Sequence, residues 1–358
     1  MVDFLMGLIQ QKSACRSVSL FALFAVILAA CGGPSDEVIN AATVGATRPL
    51  ELTSPDSTPA VDRSQASVEL SDIVFDTFNG GSFTLAEGSD SDIAFLFDAI
   101  APIDAPDYET VESADWLNDD DVILGYVDPA GDAWAYPTRI LNSREIVNDE
   151  LGGQPVLISY CPLCGSGVVY DRILDGQELS FSNTSALLDN DMVMVDRETG
   201  SYWWQVAGSA VVGQLNESRL VPLASQTTTW ESWTTQFPDS SVLVRPDGRN
   251  FGGDSFSGYG ARLDGGGSTP FPLRDNTLGD GRLPPSTQVV FAEIGGEAIA
   301  WDPSPARSFS EEVGGQTVDI VTDGLGAIVT IDGDAVPTRS AFWFAALTVF
   351  PDLELSPS

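Results

Sequence analysis

The chain has 358 residues, 43% of them hydrophobic, so it is long enough to bury a sizeable core. Its 52 acidic and 16 basic residues leave a net charge of −36, which argues against nucleic acid as a partner because no basic stripe exists to release counterions. There is no histidine, which removes the commonest metal ligand, the commonest general base and every Ser-His-Asp or Cys-His arrangement. So acidic a surface suits salty water, where screening shortens the reach of self-repulsion.

The N-terminus reads as a targeting segment. Lys12 and Arg16 lead into an apolar run, Val18 to Ala30, which is too short to span a bilayer comfortably. The run ends Leu28-Ala29-Ala30-Cys31-Gly32. This string resembles the lipobox of bacterial lipoproteins, in which the cysteine is acylated and becomes the first mature residue. The resemblance implies a signal peptide over 1–30, a lipid on Cys31, and a protein exported and anchored to the cell membrane, facing outside the cytoplasm. Residues 31–65 are rich in Ser, Thr, Pro, Ala and Asp and read as a flexible linker. The rest, 66–358, is expected to be one large β-rich domain.

Hairpin signals follow one another along that domain. Val122–Val127 and Ala133–Tyr136 flank the turn Asp128-Pro129-Ala130-Gly131-Asp132. Ile140 to Val147 is a short helical candidate before Gly152-Gly153. Val156–Tyr160 is a buried strand. Val168–Leu174 and Glu178–Phe181 flank Asp175-Gly176, and Met192–Asp196 and Tyr202–Val206 flank residues 197–200. Thr229 to Phe237 is the best helix, with Thr228 and Glu231 in a capping-box pattern and Pro238 as its stop. Residues 246–286 are rich in Gly, Pro, Asp and Ser and read as a long solvated loop without EF-hand spacing.

The pattern repeats. Val289 to Trp301 echoes the hairpin at 122–136, and Gly314-Gly315-Gln316-Thr317-Val318-Asp319-Ile320 echoes Gly152-Gly153-Gln154-Pro155-Val156-Leu157-Ile158. Asp323 falls near the place of Cys161 in the second copy. The expected fold is mainly β with a few short helices, built from pseudo-duplicated hairpin units in a sandwich- or barrel-like domain.

The chemistry centres on Ser159-Tyr160-Cys161-Pro162-Leu163-Cys164-Gly165. Of the four cysteines, Cys15 leaves with the signal and Cys31 takes lipid, so Cys161 and Cys164 are the remaining thiols, in an oxidising compartment. Cys-Pro-x-Cys-Gly is a half-site of rubredoxin-like knuckles, with proline fixing φ and glycine permitting φ > 0. A tetrathiolate site needs a second pair, and zinc held by this chain alone needs carboxylates as well. Cu(I) needs fewer ligands and favours thiolate and thioether, so a copper ion is the candidate cofactor, with Met194 or Met192 as the thioether. Thiol–disulfide exchange is the rival, though no helix follows the pair as in thioredoxin.

Two other classes stand beside these. Asp171 and Asp196 each precede an arginine at a strand end, and a hydrolase could use two such acids, although acidic residues are so abundant here that the pattern carries almost no signal. Alternatively the domain is a non-catalytic cell-surface binding module, with Trp203-Trp204 as a contact and the cysteines as a structural disulfide.

Asp104-Ala105-Pro106, Ala114-Asp115-Trp116-Leu117, Ala135-Tyr136-Pro137, Glu145 to Asp149, Tyr160 to Cys164, Asp191 to Arg197, Arg282 to Pro285 and Phe342 to Ala345 carry a resemblance. They are similar to a prokaryotic family catalogued as a domain of unknown function, number 3179, over about residues 97–355. The resemblance implies a β-rich, frequently exported domain with no established activity. The family often reads Trp-His-Glu-Ile where this chain has Ser143-Arg144-Glu145-Ile146. Arg144 cannot ligate, so its expected role is to lower a thiol pKa by its charge.

Overall fold

The computed structural model describes residues 59–246, 248 and 256–357. The expected lipidated Cys31, the signal segment and the linker as far as residue 58 lie outside them. Residues 59–65 are already laid on the domain. The Gln65 carbonyl accepts from the Gly213 amide at 2.8 Å, and Val61 packs against the main core.

The fold is built from two copies of one unit. In the first, Val122–Val127 and Ala133–Pro137 form a hairpin. Asp128 closes its turn, accepting from the Ala130 and Asp132 amides and the Trp134 indole. Ser225–Thr229 then pairs antiparallel with Val122–Val127, the helix Trp230–Gln236 crosses over, and Ser241–Val244 pairs parallel with Ala133–Pro137. In the second copy the hairpin is Gln288–Ile294 with Glu297–Trp301. Arg339–Phe342 pairs antiparallel with its first strand, Trp343–Val349 is the helix, and Glu354–Leu355 pairs parallel with its second strand.

The registers agree residue for residue. Gly125 faces Ala135 on one side and Gln226 on the other, and Phe291 faces Ala300 and Arg339 in the same way. Each hairpin is followed by a three-stranded meander whose first turn is Gly-Gly. The first meander is Ile146–Leu151, Gln154–Cys161 and Ser166–Asp171. The second is Arg307–Val313, Gln316–Thr322 and Ala327–Ile331. Both glycines have positive φ in both turns, as a tight two-residue hairpin turn requires.

Each meander docks on the other copy's closing strand. Gly167 pairs with Ser340, while Asp323 takes the Gln226 amide at 3.3 Å and the Thr228 hydroxyl. The copies differ by one insertion. Residues 172–221 lie between Ser166–Asp171 and Pro222–Leu223 and supply Phe181–Leu188, Asp191–Asp196, Tyr202–Trp204 and Ser209–Val212. With Val74–Asp76 and Ser82–Thr84 these make a six-stranded antiparallel sheet. The largest core cluster draws on both this sheet and the sheet that carries the cysteines. Trp203 and Trp204 are both buried in it, so neither presents a contact surface.

Two helix readings are corrected. The helix expected over Ile140–Val147 ends at Leu141, because Glu145 turns left-handed (φ +58°) and the β-branched Ile146 and Val147 begin a strand. The helix near Thr229 is capped by Thr229, whose hydroxyl accepts from the Ser232 amide, while Thr228 is spent on Asp323 across the repeat contact.

Candidate functional site

Gln154–Cys161 is buried over most of its length, as the continuous apolar run Val156-Leu157-Ile158 suits a strand covered on both faces. Cys161 pairs with Ser166, enclosing Pro162 to Gly165 in the turn. The Cys164 amide donates to the Cys161 carbonyl at 3.3 Å. Gly165 has φ +56°, and a Cβ there would run into the Phe342 ring, so the position demands glycine twice over. The second copy holds the turn in place, since the Phe342 amide donates to the Cys164 carbonyl at 2.7 Å and the Gln288 amide to the Gly165 carbonyl at 3.0 Å.

The insertion completes the site. Its hairpin turns at Asp189-Asn190, both left-handed (φ +51° and +63°), as a two-residue type I′ turn needs. The turn lays the Asn190 carbonyl 3.3 Å from the Cys164 sulfur, which donates to it, and brings in the fully buried Asp191. Asp191 accepts from the Val206 amide at 2.9 Å, and the Ser166 hydroxyl lies 3.3 Å away. The two sulfurs and an Asp191 carboxylate oxygen all lie within 4.8 Å of one another.

Burial governs the charges. It pushes both thiols up, Cys164 well up, and the neighbouring Cys164 partly offsets this at Cys161. Burial also pushes Asp191 up to about 7, against the pull of its Val206, cysteine and Ser166 partners. Glu145 stands nearby, pushed up to about 8 by burial, with the Asn183 amide donating to it at 2.7 Å. Its charge and that of Asp191 both disfavour thiolate at Cys161.

The expected ligands separate. Cys161 and Cys164 meet as free thiols. Arg144 reaches the Ala101 carbonyl at 3.4 Å, and the charges that bear on Cys161 are the Asp191 and Glu145 carboxylates. Met194 is fully buried, and strand alternation sets it on the opposite face from Asp191. Met192 shares that face and accepts from Asn183 at 3.4 Å. Asp196 is engaged by Thr199 and the Trp203 indole, and Asp171 by the Ile173 amide and Gln154, so each is occupied in its own turn.

The family model for a protein of unknown function, DUF3179, matches residues 97–342. The chain belongs to that family. No curated protein and no solved structure matches it. The stretch that makes this a DUF3179 protein contains both cysteines, Glu145 and Asp191, together with both repeats as far as Phe342.

Sequence reasoning missed Asp191 and Glu145. Asp189-Asn190-Asp191 carries ordinary turn chemistry, and only the folded hairpin delivers the third residue to a turn far away in the chain. As a donor set, two thiols and one carboxylate fit a thiophilic or borderline ion, and the residues are buried rather than surface acids. Such a site takes its ion by losing thiol protons, so affinity rises with pH.

Proposed function

We propose that Cys161, Cys164 and Asp191 hold one thiophilic metal ion in a domain carried outside the cytoplasm on a lipidated Cys31. The observation that supports this best is the convergence of two free thiols and a buried carboxylate within 4.8 Å. The Val206 amide and Ser166 hydroxyl are neutral donors to Asp191, and coordination would add a positive charge beside this buried carboxylate. Two sulfurs alone suit Cu(I), whereas the added carboxylate shifts the fit toward Zn(II), with a fourth position left for a small ligand. The chain's own groups orient the set. Val206 fixes Asp191, the second repeat fixes the turn, and the surrounding core excludes water.

The test is metal content with a free-thiol count on protein purified under reducing conditions. One ion per chain is expected, lost in Cys161→Ser and Cys164→Ser. Asp191→Asn should weaken Zn(II) by about 10- to 100-fold or more and leave Cu(I) nearly unchanged. Protein that takes up neither ion after reduction would defeat the proposal.

Thiol–disulfide exchange has one observation in its favour: Asp191 lies against the pair with a carboxyl near neutrality, suited to accept the Cys164 proton. Against it, both sulfurs are enclosed, and exchange requires an attacking thiolate that its partner can reach. A disulfide readily reduced by glutathione, with no metal retained, would favour this second reading.

A further inference from the structure

Sheet strands and their turns enclose the dithiol on most sides, and one remaining cover is of another kind. Residues 256–286, expected as a solvated loop, run over the hairpin tip that carries Asp191. Only Tyr259, Leu263 and Thr277 of this stretch are buried. Tyr259 and Leu263 enter the same core cluster as Cys161 and Cys164. The Tyr259 hydroxyl accepts from the Asn190 side-chain amide at 3.1 Å, and the Asn190 carbonyl is the one that takes the Cys164 thiol. The Phe271 amide donates to the Asn190 side chain at 3.2 Å. Thus one turn residue links the thiol to two points of the stretch.

The strongest tie is next door. The Asp189 side chain is 3% exposed, and among the described residues each hydrogen bond to its carboxylate comes from Arg274. The Arg274 amide donates at 2.7 Å, Nε at 2.8 Å and the terminal nitrogen at 2.5 Å. The Arg274 guanidinium also lies 5.0 Å over the Trp204 ring. A two-pronged charge-assisted pair is strong and directional, but it is also replaceable by water once the stretch lifts, since the carboxylate would then be hydrated. Two buried apolar side chains, three leucines only partly buried on the core (Leu273, Leu278 and Leu283), and polar ties that include those of Asp280 to Trp343 and Arg282 to Leu353 hold this segment without any sheet pairing, so it opens at a free energy below global unfolding.

We propose that residues 256–286 form a strap that closes the Cys161–Cys164–Asp191 site, with Asp189 and Arg274 as its latch. Opening the latch uncovers the thiols while both sheets stay folded. This regulation rests on reading the site as one where an ion enters and leaves. The strap itself is tested without metal.

The experiment is the rate at which a thiol reagent labels reduced, metal-free protein under native conditions, with denaturant unfolding measured in parallel. Arg274→Ala and, separately, Asp189→Asn should speed labelling of Cys161 and Cys164 at least about tenfold, from the loss of a charged hydrogen-bonded pair, with a smaller change in global stability. Tyr259→Phe, which keeps the ring and removes only the hydroxyl, should speed it less. Labelling at the parent rate in all three variants overturns the strap, as does an acceleration fully accounted for by lost global stability. If labelling responds as stated while neither Zn(II) nor Cu(I) binds, the strap stands and the metal reading falls. If metal binds and labelling is unmoved, the reverse holds.

Discussion

Glu145 combines two unfavourable conditions, a left-handed backbone (φ +58°) and a buried carboxyl. A folded-state pKa near 8, above the ordinary 4.5, means the native state binds the extra proton between those values. Stability contributed by this group is therefore full below about pH 4.5 and is lost as pH rises through 8. Asp191 acts in the same direction up to about pH 7. Metal-free protein should melt lower at pH 8 than at pH 6, and Glu145→Gln, which can still accept from Asn183, should flatten that slope. Equal slopes in parent and variant would show that the group is not protonated in the fold. At this scale the sequence was half informative. The cysteines, the proline and the glycine of the turn were legible because their roles are local. Asp191 and Glu145 were not, because their environment comes from chain segments distant in sequence.

At the scale of elements, hairpins were the legible part. Asp175-Gly176 turns where two-residue turn chemistry places it, whereas Gly152-Gly153, expected to close a helix, turns a hairpin instead, with left-handed φ at all four residues. The helix at Trp230 was legible through its Thr cap and following proline, although the cap is one residue later than the capping-box pattern implied. What the pattern could not give is how helix and strand fit. In the first copy Trp233 lies over Gly125, where a Cβ would overlap the indole. In the second copy the corresponding strand residue is Phe291, and the helix position that matches Trp233, counted from the first helical residue, is the buried Ala346. At this pair of positions bulk sits on the helix in one copy and on the strand in the other. Gly125→Ala should therefore destabilise by about 1–3 kcal/mol through overpacking. Trp233→Ala should remove about 3–5 kcal/mol through the cavity it leaves. Combining Trp233→Ala with Gly125→Phe should recover part of that loss in denaturant titrations. Additive losses in the double variant would show that the two positions do not share one space.

At the scale of the molecule, the duplication was legible only as two echoes in the same order. The reason is physical. A hairpin with a Gly-Gly meander leaves a turn signature, whereas the crossover helix and the parallel strand after it leave composition that many sequences share. The insertion of residues 172–221 further hides the first copy, and it is the insertion that brings Asp191 to the cysteines. The second copy, lacking that insertion, has the turn Asp323–Gly326 where the first has its thiols.

That second turn is structural, and it makes the last prediction. The Asp323 carboxylate accepts from the Leu325 and Gly326 amides at 2.9 and 2.7 Å, and it reaches Gln226 and Thr228 of the first copy. A Cβ on Gly326 would overlap the Thr227 backbone carbonyl, which has no flexible end to move aside. Gly326→Ala must therefore push the turn off the closing strand Ser225–Thr229 or shift that strand. Either motion breaks the bonds to Asp323. The variant should lose about 3 kcal/mol, at the upper end for overpacking. Gly281→Ala, with nothing within 4 Å of the new methyl, should stay within about 0.5 kcal/mol of the parent. Because the first copy's cysteine turn docks in the same way on Arg339–Phe342, the loss should appear as one cooperative transition at lower denaturant. A Gly326→Ala protein that unfolds at the parent midpoint would mean the two copies do not rest on this contact.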